Sequence, residues 1–107
     1  YIVRAARDYI HNNYADATLS LNAAAEALSV STGYLSRVFK DQTGQNFSEY
    51  LQSVRMEHAQ QLLATTVIPT NAVAEQTGYS NSTYFRAAFK ARFGLTPRQY
   101  RQTQTTG

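Results

Sequence analysis

The sequence predicts an all-α chain of seven helices, organised as two helix-turn-helix units. Three observations predict it. Apolar residues recur at helical spacing almost throughout, and no segment alternates as a half-buried strand would. Capping residues, Gly and Pro punctuate the chain at intervals that suit short helices. One pattern of residues also occurs twice, first 49 and then 50 positions apart (Ala25 and Ala74, then Tyr34 and Tyr84).

The first helix is expected over about residues 1–13, with Ile2, Ala6, Tyr9 and Ile10 on one face. Residues 15–18 read as a loop. Ser20 can cap a second helix whose inward stripe is Leu21, Ala24, Ala25 and Leu28. After a break at Ser29 and Val30, Ser31 can cap a third helix, with Leu35, Val38 and Phe39 inward and Gly44 as its stop. Asn46 followed by Glu49 has the form of a capping box and opens a long fourth helix to about residue 63. Its inward residues are expected to be Phe47, Leu51, Val54, Ala59, Leu62 and Leu63.

Pro69 marks the next break. A short fifth helix carries Ala72, Val73 and Ala74 and ends near Gly78. A sixth runs over about residues 82–92, with Phe85, Ala88 and Phe89 inward, and Gly94 ends it. Thr96 caps the last helix, with Pro97 at its first position and Gln99 three residues after the cap. The polar tail, residues 103–107, is expected to fray.

The repeat organises these helices. Ala25-Glu26 matches Ala74-Glu75, Tyr34-Leu35 matches Tyr84-Phe85, and Phe39-Lys40 matches Phe89-Lys90. Gly44 matches Gly94, and Tyr50 matches Tyr100. The change of offset puts one extra residue in the second turn. Each unit is a short helix, a tight turn, a second helix, a Gly stop and a capped third helix. This is the helix-turn-helix arrangement.

With the core residues of the third helix fixed, its opposite face shows Thr32, Gly33, Ser36, Arg37 and Lys40. The opposite face of the sixth shows Ser82, Thr83, Arg86, Ala87 and Lys90, the same five positions 50 residues on. Ser31 and Asn81 precede the two helices and complete each set. Small side chains let a helix backbone approach base edges, Arg pairs in two-pronged fashion with guanine, and Lys suits phosphate. Arg37 and Arg86, read as mid-helix counterparts, are expected to reach base edges. Lys40 and Lys90, a turn later, are expected to meet phosphate. A purely solvated face has no reason to recur in one register.

Composition narrows the function classes. The net charge is +3, and from residue 76 onward there are five basic residues (Arg86, Lys90, Arg92, Arg98, Arg101) and no acid, as suits a polyanionic partner. Cys is absent, which excludes disulfides, thiolate metal sites and a Cys nucleophile. That fits a cytoplasmic setting. No apolar run approaches membrane-spanning length, and no signal-peptide pattern occurs. His11 and His58 are isolated, and read as ordinary surface or partly buried histidines. Glu26 and Glu75 recur without a nucleophile, on exposed faces of the supporting helices. Tyr50 and Tyr100 are expected to pack. No cofactor, metal or catalytic set is expected.

These residues resemble the AraC/XylS family of bacterial transcription regulators. The second unit carries the resemblance in Ala74-Glu75, Gly78-Tyr79-Ser80, Tyr84-Phe85, Phe89-Lys90, Phe93-Gly94, Thr96-Pro97 and Tyr100-Arg101. The first carries it in the run from Leu35 to Lys40, in Thr43-Gly44, and from Tyr50 to Arg55. The resemblance implies two subdomains, residues 1–45 and 65–107, joined by a linker helix over 46–64. It implies that the third and sixth helices enter successive major grooves of double-stranded DNA, about 34 Å apart. It further implies RNA polymerase as a partner and a sensing or dimerisation domain, most often N-terminal. A chain that begins at Tyr1 fits a module cut from such a regulator.

Two departures stand out. Gly33 lies where many relatives carry a side chain that can reach DNA, so the base contacts of the first unit are the less defined set. Ser29-Val30 replaces Gly78-Tyr79, so the two turns are expected to differ in shape. The competing reading is a helical protein-interaction domain. It would expose Leu, Met or aromatic residues on the faces that here show Ser, Thr, Arg and Lys.

Overall fold

The computed structural model describes residues 1–105, and their regular structure is wholly helical. In chain order the helices are α1 (Ile2–Asn13), α2 (Leu21–Ala27), α3 (Thr32–Thr43), α4 (Phe47–Thr65), α5 (Thr70–Gln76), α6 (Ser82–Phe93) and α7 (Pro97–Thr105). They form two compact units, Tyr1–Val54 and the described residues from Arg55 onward.

In the first unit, α1 buries Val3, Ala6 and Ile10. Ile2 and Tyr9 are only partly buried against the core, so the inward line starts one residue later than the sequence suggests. Asp16 shapes the following loop, where its Oδ1 accepts from the Thr18 N–H at 2.9 Å and from the Thr18 hydroxyl at 2.7 Å. Ser20 then caps α2 by accepting from the Ala23 N–H at 3.1 Å. Ala24 and Ala25 are small enough to bring α2 close to α3, which packs Leu35 and Phe39 into the same core. The first half of α4 adds Phe47, Leu51 and Val54.

The start of α4 is a complete capping box. The Asn46 N–H donates to Glu49 Oε1 at 2.9 Å, and the Glu49 N–H donates to Asn46 Oδ1 at 2.8 Å. No single apolar stripe runs the length of α4. Phe47, Leu51 and Val54 follow three- and four-residue spacing. So do Met56, Ala59 and Leu63, but the step between Val54 and Met56 is two. The sequence reading placed Leu62 inward and overlooked Met56. Leu62 is partly buried, and Met56 is 2% exposed.

The second unit is built around Met56, Ala59, Leu63, Val73, Ala74, Tyr79, Phe85 and Phe89. Phe85 and Phe89 are fully buried, and each such ring stabilises the fold by about 1.5–3 kcal/mol. α7 opens with a second capping box, with Thr96 N–H to Gln99 Oε1 at 2.9 Å and Gln99 N–H to Thr96 Oγ1 at 3.1 Å. It continues further than the composition of its tail suggests. Residues 103–105 are helical, and the Thr103 hydroxyl donates to the Tyr100 carbonyl at 2.7 Å. The rest of the expected frayed tail, residues 106–107, lies outside the described residues. No helix among the described residues is long and apolar enough to cross a membrane.

Candidate nucleic-acid interface

The second helix of each helix-turn-helix unit, α3 or α6, is set by its turn, and the two turns are alike. In the first, the Ser29 N–H donates to the Glu26 carbonyl at 3.1 Å and the Val30 N–H to Ala25 at 3.0 Å. In the second, the Gly78 N–H donates to Glu75 at 3.3 Å and the Tyr79 N–H to Ala74 at 2.9 Å. Both turn residues have positive φ, +58° at Ser29 and +92° at Gly78. The expected difference in shape is therefore corrected. Serine takes up the left-handed backbone that glycine adopts freely, and the closing bonds are preserved. The extra residue of the second unit, Ser80, follows the closed turn and precedes the cap.

Each of these two helices starts at a side-chain cap and ends at a left-handed glycine. Ser31 Oγ accepts from the Tyr34 N–H at 3.1 Å, and Asn81 Oδ1 accepts from the Tyr84 N–H at 3.0 Å. Gly44 and Gly94, at φ +80° and +79°, return their N–H groups to Lys40 and Lys90. Between these limits, Thr32, Gly33, Arg37 and Lys40 of α3 are exposed together, with Ser36 half-buried among them. On α6, Thr83, Arg86, Ala87 and Lys90 are exposed, with Ser82 half-buried. A Cβ built on Gly33 meets open space, so this position is a smooth, bare stretch of helix.

The two arginines are not counterparts. On the 50-residue offset that aligns Tyr34 with Tyr84, Arg37 matches Ala87 and Arg86 matches Ser36. They differ by one helical step, about 100° around the axis and 1.5 Å along it. Their surroundings differ accordingly. The Arg37 guanidinium lies over the Tyr34 ring, 5.7 Å from its centroid. Arg86 Nη2 instead donates to Asn71 Oδ1, a side chain of α5.

The lysines are true counterparts in unlike fields. Lys40 Nζ stands 4.0 Å from Glu49 Oε1, the carboxylate that also closes the α4 capping box. The matching cap residue beside α7 is the neutral Gln99. The sequence has no acid beyond Glu75, so neither α6 nor α7 carries a carboxylate that could offset Lys90.

Three residues beside the candidate set were not assigned to it by the sequence reading. Tyr34 and Tyr84 are 42% and 60% exposed, one helical step from the buried Leu35 and Phe85. Their recurrence at one register was the available signal. Asn71 also recurs, as Asn22 on α2, at the 49-residue offset. The supporting aromatics pack as expected, with Tyr50 edge-on to Phe39 at 5.3 Å and Tyr100 to Phe89 at 5.7 Å between centroids. His11 Nε2 is 3.2 Å from the Tyr50 hydroxyl, and no group of His, Asp or Glu among the described residues could hold a metal. Burial pushes the Tyr79 hydroxyl up to about 12, against the pull of the Arg55 guanidinium over its ring.

Residues 24–103 match the family model described as a helix-turn-helix domain. The uncharacterised HTH-type transcriptional regulator YijO of Escherichia coli K12 is 36% identical over 101 residues, 94% of this chain and 35% of YijO. Among solved structures, the C-terminal domain of AraT, a response regulator from Geobacillus stearothermophilus, is similar at a TM-score of 0.93 and 44% identity. The match covers 95% of this chain and 84% of that one. A Chromobacterium violaceum transcriptional regulator, described as containing an AraC-type DNA-binding domain, is similar at a TM-score of 0.87 and 27% identity, over 96% and 91% of the two chains. The chain spans 12%, 35% and 23% of the curated relatives YtdP, YijO and YesN.

Proposed function

This chain belongs to the AraC-type family of helix-turn-helix DNA-binding domains, and from that premise we propose that it binds double-stranded DNA sequence-specifically, as the DNA-binding module of a bacterial transcription regulator. The observation that carries the proposal is the pair of exposed faces on α3 and α6. Each combines small polar residues, one arginine and one lysine, and each is set by the same hydrogen-bonded turn. Arg86 and Arg37 read base edges, but at positions offset by one helical step, so the two half-sites are not copies of each other. Lys40 and Lys90 meet phosphate. Ser31, Thr32, Gly33 and Ser36 line the approach of α3, and Asn81, Ser82, Thr83 and Ala87 that of α6.

The sequence repeat supports one chain reading two successive major grooves. Residues 1–45 and 65–107 serve as the reading subdomains, with 46–64 linking them. The greater length of the curated relatives supports a further sensing or dimerisation domain. RNA polymerase is the partner that the role of a transcription regulator implies. The protein acts in the cytoplasm, where its DNA is.

Selection of bound duplexes from a random pool, followed by footprinting of the monomer, tests this. Two protected patches on one DNA face, about 10 bp apart, are expected. A single short patch refutes the two-groove reading, and failure to enrich any sequence refutes specific binding. Against single-base variants of the selected site, Arg86→Ala is expected to cost about 1–3 kcal/mol on the best site and to relax preference at one or two base pairs.

A further inference from the structure

We infer that Asn71 is a positioning residue, which holds the Arg86 guanidinium in its base-reading orientation before DNA arrives. The inference rests on the reading of Arg86 as a base contact. Asn71 is exposed on α5, the supporting helix, and Arg86 is exposed on α6, the reading helix. The bond from Arg86 Nη2 to Asn71 Oδ1 ties the two helices across the turn, between side chains 15 residues apart. A guanidinium only donates, so it is the Asn71 oxygen that faces Arg86 and the Asn71 amide nitrogen that points away. One nitrogen of the arginine is held, and its other N–H groups remain for a two-pronged pair with guanine. A long side chain that is already oriented loses less freedom on binding.

The first unit has no such device, for a reason of register. Asn22 is the counterpart of Asn71, but Arg86 corresponds to Ser36, whose side chain is too short to make the same link. Arg37 rests on the Tyr34 ring of its own helix instead. A ring face restrains a cation without a directional contact, whereas a hydrogen bond fixes the direction of one N–H. The second half-site is therefore read with the sharper base preference, and the first tolerates more variation.

The test is a double-mutant cycle on the selected duplex and its single-base variants, using Asn71→Ala, Arg86→Ala and the double variant. Asn71→Ala is expected to weaken the best site roughly 2–10-fold and to flatten preference at the same base pairs as Arg86→Ala. In the Arg86→Ala background it is expected to change nothing further. In the free domain, Asn71→Ala is expected to speed rotation of the Arg86 guanidinium, read from its side-chain NMR signals. Alanine suits this helical site, so a thermal melt should show both variants folded. If Asn71→Ala weakens every sequence alike and adds in full to Arg86→Ala, Asn71 is itself a phosphate contact and the inference is overturned, with base reading by Arg86 intact. If Arg86→Ala alone weakens all variants evenly, it is the base-reading premise that fails.

Discussion

Replacing Ser29 with glycine should stabilise the first unit, because Ser29 is the one described non-glycine residue at positive φ. Its φ of +58° lies in the left-handed region, where an L side chain crowds the following carbonyl and costs roughly 1–2 kcal/mol. Glycine removes that crowding but frees the unfolded chain, which offsets about 0.4–1 kcal/mol. The midpoints of these ranges leave a net gain of about 0.8 kcal/mol. Nothing else is lost, since the residue is exposed and the closing bonds of the turn come from backbone groups. The reverse change, Gly78→Ser, puts a side chain at φ +92° in a buried turn and should destabilise by about 1–3 kcal/mol. Urea unfolding followed by circular dichroism measures both. In a thermal melt, Ser29→Gly should raise Tm by about 2–8 °C for a domain of this size. A lower or unchanged midpoint for Ser29→Gly would show that the serine is not strained. A Gly78→Ser variant as stable as the parent would show that the second turn does not need its glycine.

Three further outcomes are expected. Lys90→Ala should lower the log-log salt slope of DNA binding by about 1, and Lys40→Ala by less, because Glu49 already offsets Lys40; equal losses would remove the carboxylate from the account. Phe89→Ala should destabilise the second unit by about 3–5 kcal/mol, since its fully buried ring touches Phe85, Phe93 and Tyr100, and a change under about 1 kcal/mol would mean the core collapses around the gap. Tyr79 has its folded pKa raised by burial to about 12 from 10.0, so its contribution to stability is complete below pH 10 and lost as pH rises from there through about 12; unfolding midpoints of the parent and of Tyr79→Phe should diverge across that range, and parallel curves would contradict the burial.

Local chemistry was legible in the sequence, and chemistry that depends on comparing distant positions less so. Ser20, Ser31 and the pairs Asn46 with Glu49 and Thr96 with Gln99 are readable because a cap involves residues three apart. The inward residues of α3 and α6 follow from helical period alone. The α4 stripe was misread because its two halves serve two cores, so Met56 breaks the rhythm set by Val54. Matching Arg37 to Arg86 followed residue type where position should have governed. One helical step was enough to give them different partners. The Asn71 link was invisible because it spans a turn and joins side chains from two helices, although the recurrence of Asn22 marked the place.

The two capping boxes carry a consequence outside folding. Glu49 and Gln99 close their boxes with the same bond, at 2.9 Å in both, because the cap asks only for an oxygen acceptor. Either side chain can close the box, but the carboxylate of Glu49 also offsets Lys40, whereas the neutral Gln99 amide carries no charge to offset a lysine. On the proposed reading, one codon can therefore retune the charge that a unit presents to DNA while its capping box stays closed. Here the two copies differ, with a carboxylate 4.0 Å from Lys40 in the first and a neutral amide at the matching cap of the second. If both lysines meet phosphate as proposed, the second half holds the duplex by charge more firmly than the first.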